Sequence, residues 1–147
     1  MILNKYKLQL VKEQGRNYPQ YDREMTAPDK IASLLIEIGV DKEPTESFYM
    51  ILCDTRFKIT GITKLATGTL DMAIVDTRSM MQAALLGNAA AIIIAHNHPS
   101  GDSRPSRADI ASTERVEQAA QLLGIRLLDH IIIGHDGDYS SLKELGY

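Results

Sequence analysis

Seven consecutive apolar residues, Ala89–Ala95, run without a polar break directly into His96-Asn97-His98. An apolar run that does not alternate is the pattern of a central strand covered on both faces, and this one is far too short to span a bilayer. The chain is therefore expected to build layers around that strand and to deliver the two histidines at its end. Side chains two apart on an extended chain point the same way, with Cα atoms roughly 6.5 Å apart. Two imidazoles so placed can converge on one ion, each about 2 Å from it. Pro99, Gly101 and Pro105 stiffen and turn the loop that follows.

The rest of the chain supplies layers for such a strand. Tyr6, Leu8 and Leu10 alternate with polar residues, which predicts a strand followed by an irregular arm through Gly15–Pro19. A helix is expected from about Thr26, with Thr26 as N-cap, Pro28 in the first turn and Asp29 where the helix dipole favours an anion. Ile31, Leu34, Leu35 and Ile38 form its inner stripe and Gly39 ends it. Phe48–Cys53 and Phe57–Thr63 read as a hairpin across Asp54–Arg56, and Leu70–Val75 as a further strand. Thr77–Asn88 is expected to be helical, with Met80, Met81, Ala84 and Leu85 inside. A helix opening at Ser106 and running to Gly124, a strand over Arg126–Ile133, a turn at Gly134–Gly137 and a short last helix from Ser140 complete the reading. Helices alternating with strands argue for an α/β sandwich.

Ser106-Arg107-Ala108-Asp109 has two readings. Ser at an N-cap with an acid three residues on is a capping box. Yet Val116, Ala119, Ala120 and Leu123 form the inward stripe of this helix, and Asp109 lies seven residues before Val116, on the same side. A buried acid is costly unless something satisfies it, and a cation held by His96 and His98 would do so. Two neutral histidines and a carboxylate form a normal catalytic zinc set. Such a site needs a proton shuttle from elsewhere in the chain: Glu46, just before the Phe48–Cys53 strand, with Glu43 and Asp54 as rivals that spacing alone does not separate.

Bulk properties exclude several classes. Cys53 is the one cysteine in 147 residues, so neither an intrachain disulfide nor a thiolate cluster can form; this fits a cytoplasmic protein. Met1–Gln20 holds no apolar core of a signal peptide, and no membrane partner is expected. A formal net charge of -3 does not support nucleic-acid binding, though it leaves room for a local basic patch.

The string His96-Asn97-His98-Pro99-Ser100-Gly101, then Pro105-Ser106, then Asp109, resembles the JAMM motif of RadC-like proteins: His-x-His, seven residues, Ser, two residues, Asp, with a Glu well upstream. Glu46-Ser47-Phe48 through Leu52-Cys53-Asp54, Gly68-Thr69, Arg78, Thr113 and Asp129-His130-Ile131-Ile132-Ile133-Gly134 resemble that family too, so the likeness extends over residues 26–147, with 1–25 as an N-terminal strand and arm. The resemblance implies a single three-layer α/β sandwich, the JAB/MPN domain with a cytidine-deaminase-like fold. It implies His96, His98 and Asp109 as zinc ligands, Glu46 as general acid/base and Ser106 as the group that steadies an oxyanion. The implied activity is that of a zinc metallopeptidase cleaving an amide or isopeptide bond in a peptide or protein. Full-length RadC proteins also resemble a helix-hairpin-helix DNA-binding module joined to this domain, for which 147 residues are expected to leave no room.

Two other functions compete. A zinc nucleobase deaminase would show His-x-Glu with Pro-Cys-x-x-Cys; here His98 takes the place of that Glu and Cys53 stands alone. A non-catalytic, metal-bearing module that binds DNA or protein is the stronger alternative. Among the remaining residues, His130 is read as a satisfied core histidine or a neighbour of the ligands, His135 as exposed and Arg78 as part of a structural ion pair. Oligomeric state is not legible.

Overall fold

The computed structural model describes the chain except for residues 2, 4, 6, 8–10, 20, 22–26 and 69–75. The strands expected at Tyr6–Leu10 and Leu70–Val75 lie wholly or mainly outside the described residues. The described elements run in the order α1 (Pro28–Glu37), a 3-10 turn at Val40–Lys42, β1 (Ser47–Cys53), β2 (Ile59–Thr67), α2 (Thr77–Leu86), β3 (Ala91–Asn97), α3 (Arg107–Leu122), β4 (Arg126–Ile133) and β5 (Tyr139–Ser141). The strands form one mixed sheet in the order β2-β1-β3-β4-β5. β3 lies at its centre, antiparallel to β1 and parallel to β4.

Every residue of β3 is buried, as the unbroken apolar run requires. Alternation along the strands then makes two cores. Ile93 and Ala95 of β3 join Ile51, Ile131 and Ile133 under Ile31, Ala32 and Leu35 of α1. Ile92 and Ile94 join Met50 and Leu52 under Met80, Met81 and Ala84 of α2 and Val116 and Ala120 of α3. The result is a helix layer on each face of the sheet. Each fully buried Ile contributes about 1.5–3 kcal/mol, so the six of Ile92–Ile94 and Ile131–Ile133, each 0% exposed, are a large part of what holds the sheet between its helices.

Several boundaries differ from expectation, each for a local reason. The cap of α1 is Ala27 rather than Thr26, and no side chain caps it. Pro28 disfavours the helical region for the residue before it, so Ala27 is extended, at ψ 131°, and helix starts at the proline. The β1–β2 turn is longer than Asp54–Arg56. The Asp54 carboxylate accepts from the amides of Arg56 and Lys58, and Phe57 sits at φ 60°. β2 consequently starts later and runs on to Thr67. Leu85 and Leu123, read as inward, are 56% and 44% exposed, because both lie at or next to a helix end where the stripe has rotated off the sheet. The expected last helix is instead β5, paired antiparallel to β4 as Ile131↔Ser141, Ile132↔Ser140 and Ile133↔Tyr139.

Asp129 explains that change. Its carboxylate accepts from Ser141 Oγ at 2.6 Å and from the amides of His130 and Lys143 at 2.7 and 3.2 Å. The tail is thereby drawn alongside β4 and Leu142 is fully buried. Asp129→Ala leaves those donors unpaired in a buried place, at about 1–3 kcal/mol. Urea unfolding with chelator present is expected to show a lower midpoint at unchanged slope.

Candidate metal centre

β3 carries His96 as its second-last residue, on the face that looks toward α3. The strand's pairing puts Phe48 of β1 directly opposite, and the Phe48 ring stacks on the imidazole, centroids 4.5 Å apart and 13° from parallel. His98 lies just past the strand end, where its amide bonds Ile133 O at 2.9 Å. Two tight approaches shape the loop that follows. Gly101 has φ +88°, and a Cβ on Gly134 would lie 2.4 Å from Gly101 O. The loop thus folds back over the end of β4 and turns the Asp102 carbonyl toward His98 Nδ1, 2.7 Å away.

α3 brings the carboxylate. Ser106 is its N-cap and Asp109 its third residue, and both reciprocal bonds of a capping box are present. Ser106 Oγ and Ser106 N both donate to Asp109 Oδ2 at 2.6 Å. Asp109 Oδ1 has no hydrogen-bond partner, although Asp109 is 0% exposed. Both sequence readings of this tetrad therefore hold: it is a cap, and one oxygen of the acid is left facing the histidines. His96 Nε2 lies 3.1 Å from Oδ1 and 3.0 Å from His98 Nε2; His98 Nε2 lies 3.5 Å from Asp109 Oδ2. Glu46 enters from the segment before β1, its Oε1 3.6 Å from His96 Nε2. Ligand atoms of Glu46, His96, His98 and Asp109 all lie within 4.8 Å of one another. Ligands at about 2 Å from a tetrahedral ion are about 3.3 Å apart, close to these separations.

Hydrogen bonding decides what the nitrogens present. Thr113 Oγ1 donates its single proton to Asp109 O at 2.8 Å. Its 2.6 Å contact with His130 Nδ1 must then be an N–H donated by His130. His130 Nε2 is left as acceptor, so at 2.8 Å His96 Nδ1 donates to it, and His96 Nε2 keeps a lone pair. His98 Nδ1 donates to the Asp102 carbonyl, so neutral His98 likewise presents a lone pair at Nε2. Two imidazole nitrogens 3.0 Å apart beside an orphaned, buried carboxylate oxygen form a donor set that one cation would satisfy. On this ground the residues fit a divalent metal, and imidazole with carboxylate suits zinc. Ligating histidines ordinarily donate their other N–H to an outer acceptor; here those acceptors are His130 and Asp102.

Burial pushes the pKa of His96 down against the pull of Asp109, and that of His130 well down, which keeps both neutral. Burial alone would raise Asp109, but the two imidazoles and Ser106 outweigh it and hold its carboxyl far below the usual range. His98, less buried, is raised chiefly by Asp109.

The rivals of Glu46 sit elsewhere. Glu43 accepts from Tyr49 OH at 2.6 Å and Lys64 Nζ at 2.8 Å, and Asp54 closes the hairpin at the opposite end of β1. His135 is exposed, as read. Arg78 is exposed and makes no ion pair among the described residues. Sequence reasoning placed His130 near the ligands without seeing its tautomeric role. It missed that of Thr113, whose signal was a hydroxyl one helical turn after Asp109.

A mixed sheet between helix layers, with a His-x-His strand end facing an acid at a helix N-terminus, defines an α/β domain of metal-site type. The profile of the RadC-like JAB domain matches residues 25–147, and the chain belongs to that family. It is 39% identical over 138 residues to a UPF0758 protein of Caldanaerobacter subterraneus, covering 94% of this chain and 56% of that one. A UPF0758 protein of Acidithiobacillus ferrooxidans is 48% identical over 101 residues, covering 69% and 45%. One from Methanosarcina mazei is 39% identical over 125 residues, covering 85% and 54%. The chain spans about half the length of these curated relatives. No described helix is long and apolar enough to cross a membrane.

Elemental analysis is expected to find about one zinc per chain after loading at neutral pH, and none in His98→Ala or Asp109→Ala. Thr113→Val, which removes the oxygen that accepts from His130 Nδ1, is expected to weaken zinc binding roughly 10- to 100-fold, read by competition with a chromophoric chelator.

Proposed function

We propose that the chain is a zinc-dependent hydrolase of JAMM metallopeptidase type, acting on an amide or isopeptide bond in a peptide or protein. His96, His98 and Asp109 would hold the ion. Zinc held there would supply a Lewis acid that polarises a carbonyl and makes a water more acidic. The observation that carries the reading is the placement of Glu46. Its side chain is 11% exposed and faces His96 Nε2, and it makes no hydrogen bond to another described residue, so the carboxylate is free for proton transfer. Glu46 takes a proton from the attacking water and passes it to the leaving amine nitrogen. Ser106 donates to the developing oxyanion. Its oxygen stays anchored by the Asp109 amide at 3.1 Å, and its hydroxyl proton turns from Asp109 Oδ2 to the substrate. Phe48, stacked on His96, keeps water from that side of the ring.

Glu46→Gln keeps the shape of the side chain and removes its basicity. Zinc-loaded Glu46→Gln is expected to retain the metal and to lose about 10²–10⁴ in kcat on peptide and isopeptide-linked substrates. Equal turnover in the variant and the native chain would remove Glu46 from the mechanism. Salt-dependent DNA binding by a loaded chain that cleaves none of these substrates would favour the interaction-module alternative.

A further inference from the structure

Asn97 stands between the two histidines, so strand alternation turns its side chain to the opposite face of β3. There it is 2% exposed, where an amide needs partners for one acceptor and two donors. It finds all of them on one segment. The amide of Ser47 donates to Asn97 Oδ1 at 2.8 Å, and Asn97 Nδ2 donates to the carbonyls of Glu43 and Thr45, each at 3.2 Å. Glu46 lies between Thr45 and Ser47, so one side chain grips the backbone on both sides of it. The backbone carbonyl of Glu46 is held separately, by the Gly68 amide at 3.1 Å.

We propose that Asn97 is the positioning residue for Glu46: while the histidines on one face of the tripeptide hold the metal, Asn97 on the other face sets where the acid/base stands against it. This rests on the reading of Glu46 given above. The β1–β3 ladder already secures the strand from Phe48 onward. The β1–β2 ladder begins at Ser47↔Thr67, so what the Asn97 bonds add is order at that end of β1 and in the residues ahead of it. Only a carboxamide meets the pattern. Asp keeps the acceptor for Ser47 but turns an anion toward two carbonyl oxygens, and Ala offers nothing. The Glu43 side chain is committed to Tyr49 and Lys64 and does not replace it.

The test uses the full chain, cobalt(II) as the metal probe, and Asn97→Ala and Asn97→Asp, each alone and with Glu46→Gln. Both single variants are expected to bind one cobalt per chain, since the three ligands remain. Amide exchange at Ser47 should accelerate at least about tenfold in metal-free Asn97→Ala relative to native chain. The visible cobalt spectrum should change in each single variant, and the change should vanish in the Glu46→Gln background. Asn97→Asp, nearly isosteric and still an acceptor for Ser47, keeps the comparison available if Asn97→Ala does not fold. An unchanged Ser47 exchange rate, an unchanged spectrum, or the same spectral change with Glu46 already replaced would overturn the proposal. Failure of the metal reading looks different: the native chain then binds no cobalt at all, and the positioning role falls with it.

Discussion

The structure turns on the convergence of two imidazole nitrogens on a buried carboxylate oxygen. His96 Nε2 lies 3.0 Å from His98 Nε2 and 3.1 Å from Asp109 Oδ1, and that oxygen has no hydrogen-bond partner. Such an arrangement is costly by itself, and it persists only because its surroundings hold each member. The strand and its Phe48 neighbour hold His96, the Gly101 loop holds His98, and the helix cap holds Asp109. The Thr113 oxygen accepts from His130 Nδ1, and His130 Nε2 in turn accepts from His96 Nδ1, which fixes which nitrogen of His96 faces inward.

The same residues serve structure and site together. Ser106 and Asp109 cap α3 while one oxygen of the acid remains free for the ion. His96-Asn97-His98 uses the two-residue period of a strand to work on both faces, the histidines on one and the Asn97 bonds on the other. Asp129 does for the C-terminal tail what Asn97 does for the segment before β1. Each is a buried polar side chain that pairs backbone groups of a neighbouring segment, Asn97 one amide and two carbonyls and Asp129 two amides, and each draws that segment against the sheet.

Much of this was legible in the residues. The apolar run Ala89–Ala95 identified the central strand, 3.6-residue spacing found the helices, and the spacing from His96 to Asp109 marked residues that the fold brings together. The errors fall at ends and turns. Pro28 shifted a cap, Asp54 lengthened a hairpin, Asp129 converted a tail from helix to strand, and Leu85 and Leu123 rotated outward. In each case a single local bond or a helix end overrode the periodic pattern, and periodicity carries no information about such contacts.

The sequence by itself determined the two-layer burial of β3, the convergence of His96 and His98, and the presence of an acid on the inward side of α3, because these follow from the fixed geometry of strands and helices over short separations. Only the tertiary structure decided that Glu46 rather than Glu43 or Asp54 meets the histidines, that Thr113 and His130 set the tautomer of His96, and that Asn97 grips the segment carrying Glu46. Those contacts join residues 17 to 54 positions apart, and no local rule fixes which of several chemically equivalent side chains is brought across such a distance.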